Sequence, residues 1–592
     1  MIRLSHRNIK PWVAGTAVSA LLFGAFPLLP VNTVRAEDAP AAVYQISDEL
    51  NVGVKSVLNE WTNDGVRVGV VLNLRNTGQR IVKLPSYEVK MTTDQGISYY
   101  LQASAANASV IRPQTKEELS FYYLLDSSDE MNIVSIQLLD VDWYVYPKAE
   151  TLIADIPVQD VWRGSVAGFA EESRIQAWGS SFRLTALDSP LSYTPVTVTE
   201  DNLQSGPVTT VKVLVDNPGN KREKVPAFQL EGVSGLEGER KFYSGKRVEQ
   251  GEVTLEPQEK KYIHYAISTE PGVKLDALNV LTSETFKSSD QAVSYSVGRL
   301  SVTLPSASAG GGSGSGEQSA AQVPLYISGA SIAFDPLIRF VHPSLQVSLV
   351  ELNLHENDDE GYQTAIAKFK LYNNSDLPVP VPAFAADLIG GAGAVYPGSR
   401  QSAAAVQVMP HTAYAVAYAF TVPLAENSAQ FGVRLSEPLE GGAYKSALAQ
   451  IRAEAGRSDE SGTVNLKNTR LRLYPFEMKL NRWQLSYTAN FANLIPVYAY
   501  KLELDVDLLR QEEVIVDSTF SSLQLELVDG LGRKLSSKSV PLTGKNKLIS
   551  GKQIITFDSL KDDQLEGNLT VHVYETITTA AGEAKRLLYT LK

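Results

Sequence analysis

Apolar and polar positions alternate with a period of two along almost the whole chain. Val66, Val68, Val70, Leu72 and Leu74 are separated by Arg67, Gly69, Val71, Asn73 and Arg75, which is the pattern of a strand with one buried face. The same alternation returns in Trp483, Leu485, Tyr487 and Ala489, in Tyr500, Leu502, Leu504 and Val506, and in Leu523, Leu525 and Leu527. Asp64-Gly65, Asp94-Gln95-Gly96 and Asp529-Gly530-Leu531-Gly532 sit where hairpins must turn. Helical periodicity sustained over three turns is absent after Ala36, although residues 48–59 could form one or two turns.

One stretch recurs. Residues 74–87 (LRNTGQRIVKLPSY), 215–228 (VDNPGNKREKVPAF) and 371–384 (LYNNSDLPVPVPAF) each place an Asn at the end of an alternating run. A Pro follows nine residues after that Asn, and an aromatic stands two beyond the Pro. The Asn amide can cap its own turn and stop the strand, and Pro belongs where a strand begins, because it lacks an N–H. Pro113, Pro257 and Pro410 then precede Leu119/Phe121/Tyr123, Ile263/Tyr265/Ile267 and Val416/Tyr418/Phe420 at the same even offsets, so each copy keeps its register. Tyr99, Tyr243 and Tyr396 complete the template. The distance between the two prolines is 28 residues in the first and third copies and 31 in the second. The extra residues fall in a glycine-rich segment around Gly232 and Gly238, where an insertion costs little.

These patterns predict an all-β chain of tandem immunoglobulin-like β-sandwich domains, with short linkers and one flexible Gly/Ser linker. The expected divisions are a signal peptide over 1–36, sandwiches over 43–158, 171–305 and 324–455, the linker over 306–323, and a divergent sandwich over 463–592. The linker, SASAGGGSGSGEQSAAQV, is coil-forming by composition, so two pairs of domains would be able to reorient. It has neither the preceding strand nor the Lys-Ser/Thr of a phosphate-binding loop.

The N-terminus changes the picture of where the chain works. Arg3, Arg7 and Lys10 precede an apolar run from Val13 to Val31, and Val34-Arg35-Ala36 offers a cleavage site. That reads as a secretory leader cut after Ala36; the alternative is an uncleaved anchor, the one route by which this chain would meet a membrane. Loss of its four basic residues takes the net charge from −12 to −16, which gives nucleic acid no electrostatic reason to bind. The absence of cysteine excludes disulfides and lipoprotein acylation, and the combination with a long basic leader is associated with Gram-positive secreted proteins.

Candidate chemistry is sparse. His264, His342, His355, His411 and His572 show no metal-ligand spacing, and His264 and His572 are expected on solvent-facing sides of strands. No G-x-S-x-G elbow is present, so an enzyme is not expected, nor is a cofactor. The acidic clusters beginning at Asp126 and Glu356 lack the alternating spacing of a calcium loop and read as solvated hairpin tips. The one local feature that suggests a ligand is Trp143-Tyr144-Val145-Tyr146. On a strand, Tyr144 and Tyr146 share a face opposite Trp143 and Val145, so the tyrosines form either an exposed aromatic shelf for sugars or the cover of a domain junction.

Asn76-Thr77-Gly78 and Asn217-Pro218-Gly219 resemble the strand-ending turns of immunoglobulin-like, cell-adhesion-related (CARDB-like) β-sandwich repeats of secreted bacterial proteins, while Asn373-Asn374-Ser375 departs at the glycine. The resemblance covers roughly residues 43–455. It implies an extracellular, cell-surface structural or adhesion array whose partner is an extracellular or cell-envelope protein. The alternative is a glycan- or cell-wall-binding protein that uses Tyr144 and Tyr146.

Overall fold

The computed structural model describes residues 42–592, apart from 85–86, 127–130, 159, 170–171, 204, 236–238, 306–322, 358–360, 403–404, 458–469, 493–494, 519 and 562–567. The leader, nearly all of the Gly/Ser linker and most of both acidic clusters therefore lie outside the described residues.

Among those described, four sandwich units each rest on seven principal strands. Unit one comprises β1 (Leu50–Thr62), β2 (Gly65–Asn76), β3 (Glu88–Thr93), β4 (Ser98–Ala103), β5 (Lys116–Leu125), β6 (Ile133–Asp142) and β7 (Ala149–Pro157). Unit two comprises β8 (Ser192–Leu203), β9 (Gly206–Asp216), β10 (Gln229–Ser234), β11 (Lys241–Arg247), β12 (Lys260–Ser268), β13 (Ala277–Lys287) and β14 (Ala292–Thr303). Unit three comprises β15 (Leu345–Asn357), β16 (Tyr362–Asn373), β17 (Ala385–Ile389), β18 (Val395–Arg400), β19 (Ala413–Pro423), β20 (Gln430–Leu439) and β21 (Tyr444–Glu454). Unit four comprises β22 (Phe476–Ala492), β23 (Ile495–Arg510), β24 (Ser522–Val528), β25 (Lys534–Pro541), β26 (Gly551–Lys561), β27 (Thr570–Thr579) and β28 (Gly582–Leu591).

Strand order is the same throughout. In unit one it runs β1-β2-β5-β4-β3-β6-β7, with β4 paired to both β5 and β3, so that one curled sheet closes on itself as a three-on-four immunoglobulin-like sandwich. Units two and three repeat this order. Unit four keeps it as well, but β25 and β26 are not paired and the sandwich opens into two sheets, β22-β23-β26 and β25-β24-β27-β28. The divergent last unit is thus a fourth copy in topology, although it lacks the Asn-to-Pro spacing.

The recurrent Asn is buried in all three copies. Asn76 donates its amide to the carbonyls of Arg80 and Ile111 and accepts from the Gly78 N–H at 2.8 Å. Asn217 and Asn373 repeat each of these bonds, to Lys221, Leu255 and Gly219 and to Leu377, Val408 and Ser375. One side chain therefore closes its own turn and ties it to the next strand of the sandwich. Pro226 and Pro382 stand three residues before β10 and β17, and Phe228 and Phe384 pack into their cores.

Every unit carries a β-bulge in its first hairpin and another in its last, and these fall at the same register. In the first hairpin the skipped residue is Lys55, Val196, Val350 or Asn481. In the last hairpin it is Ile153, Arg299, Leu448 or Leu588. A bulge bends its strand, and beyond the second one the last hairpin overhangs its own sandwich.

Two expectations from the sequence do not hold. Residues 50–59, read as possible helical turns, belong to β1; their core contacts outweigh a weak local propensity. Units two and three, expected to reorient about the linker, are packed together: Val208, Val248 and Ala266 of unit two form one cluster with Leu439 and Tyr444 of unit three. Arg434 bridges Asp201 and Asp387 at 3.1 Å each across the same contact.

Candidate functional site

The three junctions between successive units share one construction, and it places the aromatic stretch in context. The overhang of each last hairpin extends its own inner face over the outer face of the three-stranded sheet in the preceding unit. In unit two, Glu284, Phe286, Tyr295 and Val297 of β13–β14 cover Leu58, Gly69 and Tyr122 of unit one. The Tyr122 ring lies 5.3 Å from Phe286 and 6.1 Å from Tyr295. Gly69 is required here, because a Cβ would stand 2.6 Å from the Tyr295 ring. In unit four, Glu575, Ile577 and Ala584 of β27–β28 cover Ile366, Lys368, Ala415 and Ala417 of unit three.

A carboxylate of the overhang meets a cation of the covered face. Glu284 pairs with Lys55 at 3.0 Å and with Arg299 at 2.9 Å. Glu575 pairs with Lys368 at 2.7 Å and with Arg586 at 2.6 Å, while Glu351 of unit three holds the same two cations at 3.1 and 3.2 Å. Glu575 is fully buried; burial raises its pKa, but Arg586 and Lys368 outweigh that and hold it down at about 2. At the middle junction Lys212 donates to the Ala447 carbonyl at 2.6 Å, and burial lowers its ammonium to about 8. Burial raises the Glu437 carboxyl there, against the opposing pull of His264 and Lys212, and Glu437 in turn favours the charged form of Lys212.

His264, expected on a solvent-facing side, is buried in this middle junction. It does lie on the outer face of its own sheet, but unit three covers that face, and the ring contacts Ser446 at 2.9 Å and Glu249 at 2.8 Å. His572 is half-buried, 3.3 Å from the Tyr574 hydroxyl. Among the described residues no group of three His, Asp or Glu is placed to hold a metal ion. A cavity of about 80 Å³ between units one and two, lined by Lys55, Trp162, Phe169, Arg174 and Arg299, is a gap in the first junction.

The aromatic stretch is the overhang of unit one, between β6 and β7. It is a turn and not the strand that its alternation suggests, so it has no core side: Trp143 is 58%, Tyr144 101%, Val145 45% and Tyr146 102% exposed. Asp142 accepts the Tyr144 N–H at 2.9 Å and closes the turn. Among the described residues Tyr144 and Tyr146 cover no domain junction, since the sequence-order neighbour, unit two, packs on the opposite sheet through Leu58 and Tyr122.

The back of the overhang is fastened to its own unit. The Lys148 ammonium sits 4.7 Å from the Trp143 ring centre and donates to the Tyr100 hydroxyl at 2.6 Å. Glu150 accepts from Lys90 and Tyr100 and pairs with Lys148 at 3.1 Å. Hydrogen bonds from Lys90, Tyr100 and Lys148 hold the Glu150 carboxyl down at about 2. The tip is thereby held in position with its aromatic side outward.

No family model matches the chain, and no curated protein matches it as a relative. Among solved structures the chain is similar to dimeric latent PorU from Porphyromonas gingivalis, at 9% identity over 67% of this chain and 32% of that one, with a TM-score of 0.13. The chain thus spans about a third of PorU's length, and a likeness at that score carries over neither fold nor function.

Proposed function

We propose that the chain is a non-enzymatic, exported bacterial surface protein, a row of cell-adhesion-related sandwiches that binds an envelope protein through the β6–β7 tip. The observation that carries this reading is the fate of the same hairpin in the other units: each is buried against another sandwich, whereas Trp143, Tyr144 and Tyr146 stand in solvent. A large exposed apolar group is costly unless something covers it. The leader-like residues 1–36 and the acidic, cysteine-free composition support export and a Gram-positive surface.

The second reading is a glycan- or wall-binding protein, favoured by the exposure of three aromatic rings in one turn. Separate incubation with cell-wall sacculi, soluble polysaccharide and membrane-surface proteins distinguishes the two. The expected result is retention by surface protein alone, abolished by Tyr144→Ala with Tyr146→Ala. Retention by polysaccharide that the same substitutions abolish would move the assignment to the glycan reading.

A further inference from the structure

We propose that copies of this chain join end to end, the β6–β7 overhang of one covering the outer face of β22–β23–β26 in the next. This deepens the protein-binding reading, on which it rests, by naming the partner as a second copy.

Among the described residues one junction recurs three times, while the overhang of unit one and the outer face of β22–β23–β26 in unit four stand uncovered. By register from the bulge, Asp140 is the counterpart of Glu437 and Glu575, and Asp142 is the counterpart of Glu284. Tyr144 stands two residues beyond Asp142, as Phe286 stands two beyond Glu284. Asp140 and Asp142 are exposed, and neither has an ion-pair partner among the described residues. The open overhang therefore keeps the acids and the aromatic tip of a junction without the sheet that would meet them.

The other end supplies that sheet. The row that holds Thr197, Lys212 and His264 in unit two, and Glu351, Lys368 and Ala417 in unit three, holds Arg482, Asp505 and Lys552 in unit four. Arg482 and Lys552 are exposed and have no ion-pair partner among the described residues. The next row places Ile554 where Tyr122, Ala266 and Ala419 stand in the first three units. Tyr122 is the ring on which Phe286 stacks, and Ile554 is 66% exposed. Apolar tip would meet Ile554, and Asp140 and Asp142 would meet Arg482 and Lys552. The two surfaces differ, so the contact is head-to-tail and does not close on two copies; it extends as a linear assembly.

Sedimentation of the purified chain, residues 37–592, tests this. The weight-average mass is expected to rise with concentration and to fall when salt is raised. Asp140→Lys, which leaves the turn-closing Asp142 in place, and separately Arg482→Glu with Lys552→Glu, should each weaken association about tenfold or more while leaving the thermal melt unchanged. Mixing the two variants should restore assembly, because each then offers the other a complementary face. A monomer at every concentration up to ~100 µM, or loss of assembly that mixing does not restore, would overturn the proposal. If surface proteins still retain the chain in a Tyr144- and Tyr146-dependent way while it stays monomeric, the end-to-end contact fails and the protein-binding reading stands. If the chain assembles but no surface protein retains it, the reverse holds.

Discussion

The last hairpins of unit four and unit one have the same strand order and the same bulge, yet the overhang of one is buried and that of the other is exposed. In β27–β28 the overhang carries Glu575, Ile577, Ala584 and Arg586, all buried against unit three. In β6–β7 the same positions carry Asp140, Asp142, Ala149 and Thr151, all exposed. The scaffold is therefore indifferent to whether its overhang is covered. What differs is the side chains: a long acid braced by two cations at one end, short acids and small residues at the other.

Lys368→Ala should give the largest effect on that contrast. It leaves Glu575 and Glu351 buried beside one cation instead of two, and removing one member of such a group costs about 3–5 kcal/mol. Asp140→Ala at the open end should change stability by less than about 0.5 kcal/mol in the same denaturant titration. A similar loss at both sites would show that the open overhang is covered after all. Tyr295→Ala should cost about 3 kcal/mol through lost packing on Tyr122 and Gly69, whereas Tyr144→Ala with Tyr146→Ala should leave the melt unmoved. Gly69→Ala should cost about 1–3 kcal/mol from the opposite direction, by forcing a methyl group into the Tyr295 ring.

The pH dependence sharpens the comparison further. Glu575 and Glu150 both have folded pKa values near 2, below the ordinary 4.5, so each stabilises fully above pH 4.5 and that contribution fades as pH falls toward 2. Salt should weaken the Glu150 contribution and spare that of Glu575, since only the latter is sealed from solvent. A Glu575→Gln chain should lose most of the acid sensitivity, and a Glu150→Gln chain only a little. Lys212 works in the other range: its folded pKa of about 8 lies below the ordinary 10.5, so stability should rise as pH climbs between those values. Denaturation midpoints at pH 7 and pH 10 should show that rise, and Lys212→Met should flatten it.

Much of the fold is legible in the sequence because alternation, turn chemistry and the Asn–Pro–aromatic spacing all act locally. The three copies could be placed in register from Pro113, Pro257 and Pro410, and the Asn does stop its strand by bonding its own turn. The junctions are not legible in that way. Glu575 and Ile577 continue the parity of the core residues Val571 and Val573, so nothing in the pattern marks where the unit's own core ends and its neighbour begins. His264 and Lys212 look like outer-face polar residues, and only the position of unit three buries them. One signal was present: β19 reads Ala413, Ala415, Ala417 and Ala419 on its outer face, and side chains that small on an outer face fit another surface pressed against them. At the aromatic stretch the alternation implies a two-faced strand, but Asp142 ends β6 one residue before Trp143 and the chain turns there instead.

The continuity of parity across the second bulge has a consequence for how such a chain could have lengthened. A single strand, β13, β20 or β27, specifies its own interior with its first half and its neighbour's cover with its second. A segment copied whole would thus bring with it both the surface that receives and the surface that is received, already matched to each other. Extending the row would need no new recognition to be invented, only duplication of one reading frame, and subsequent drift at each joint would make every neighbour particular to its place.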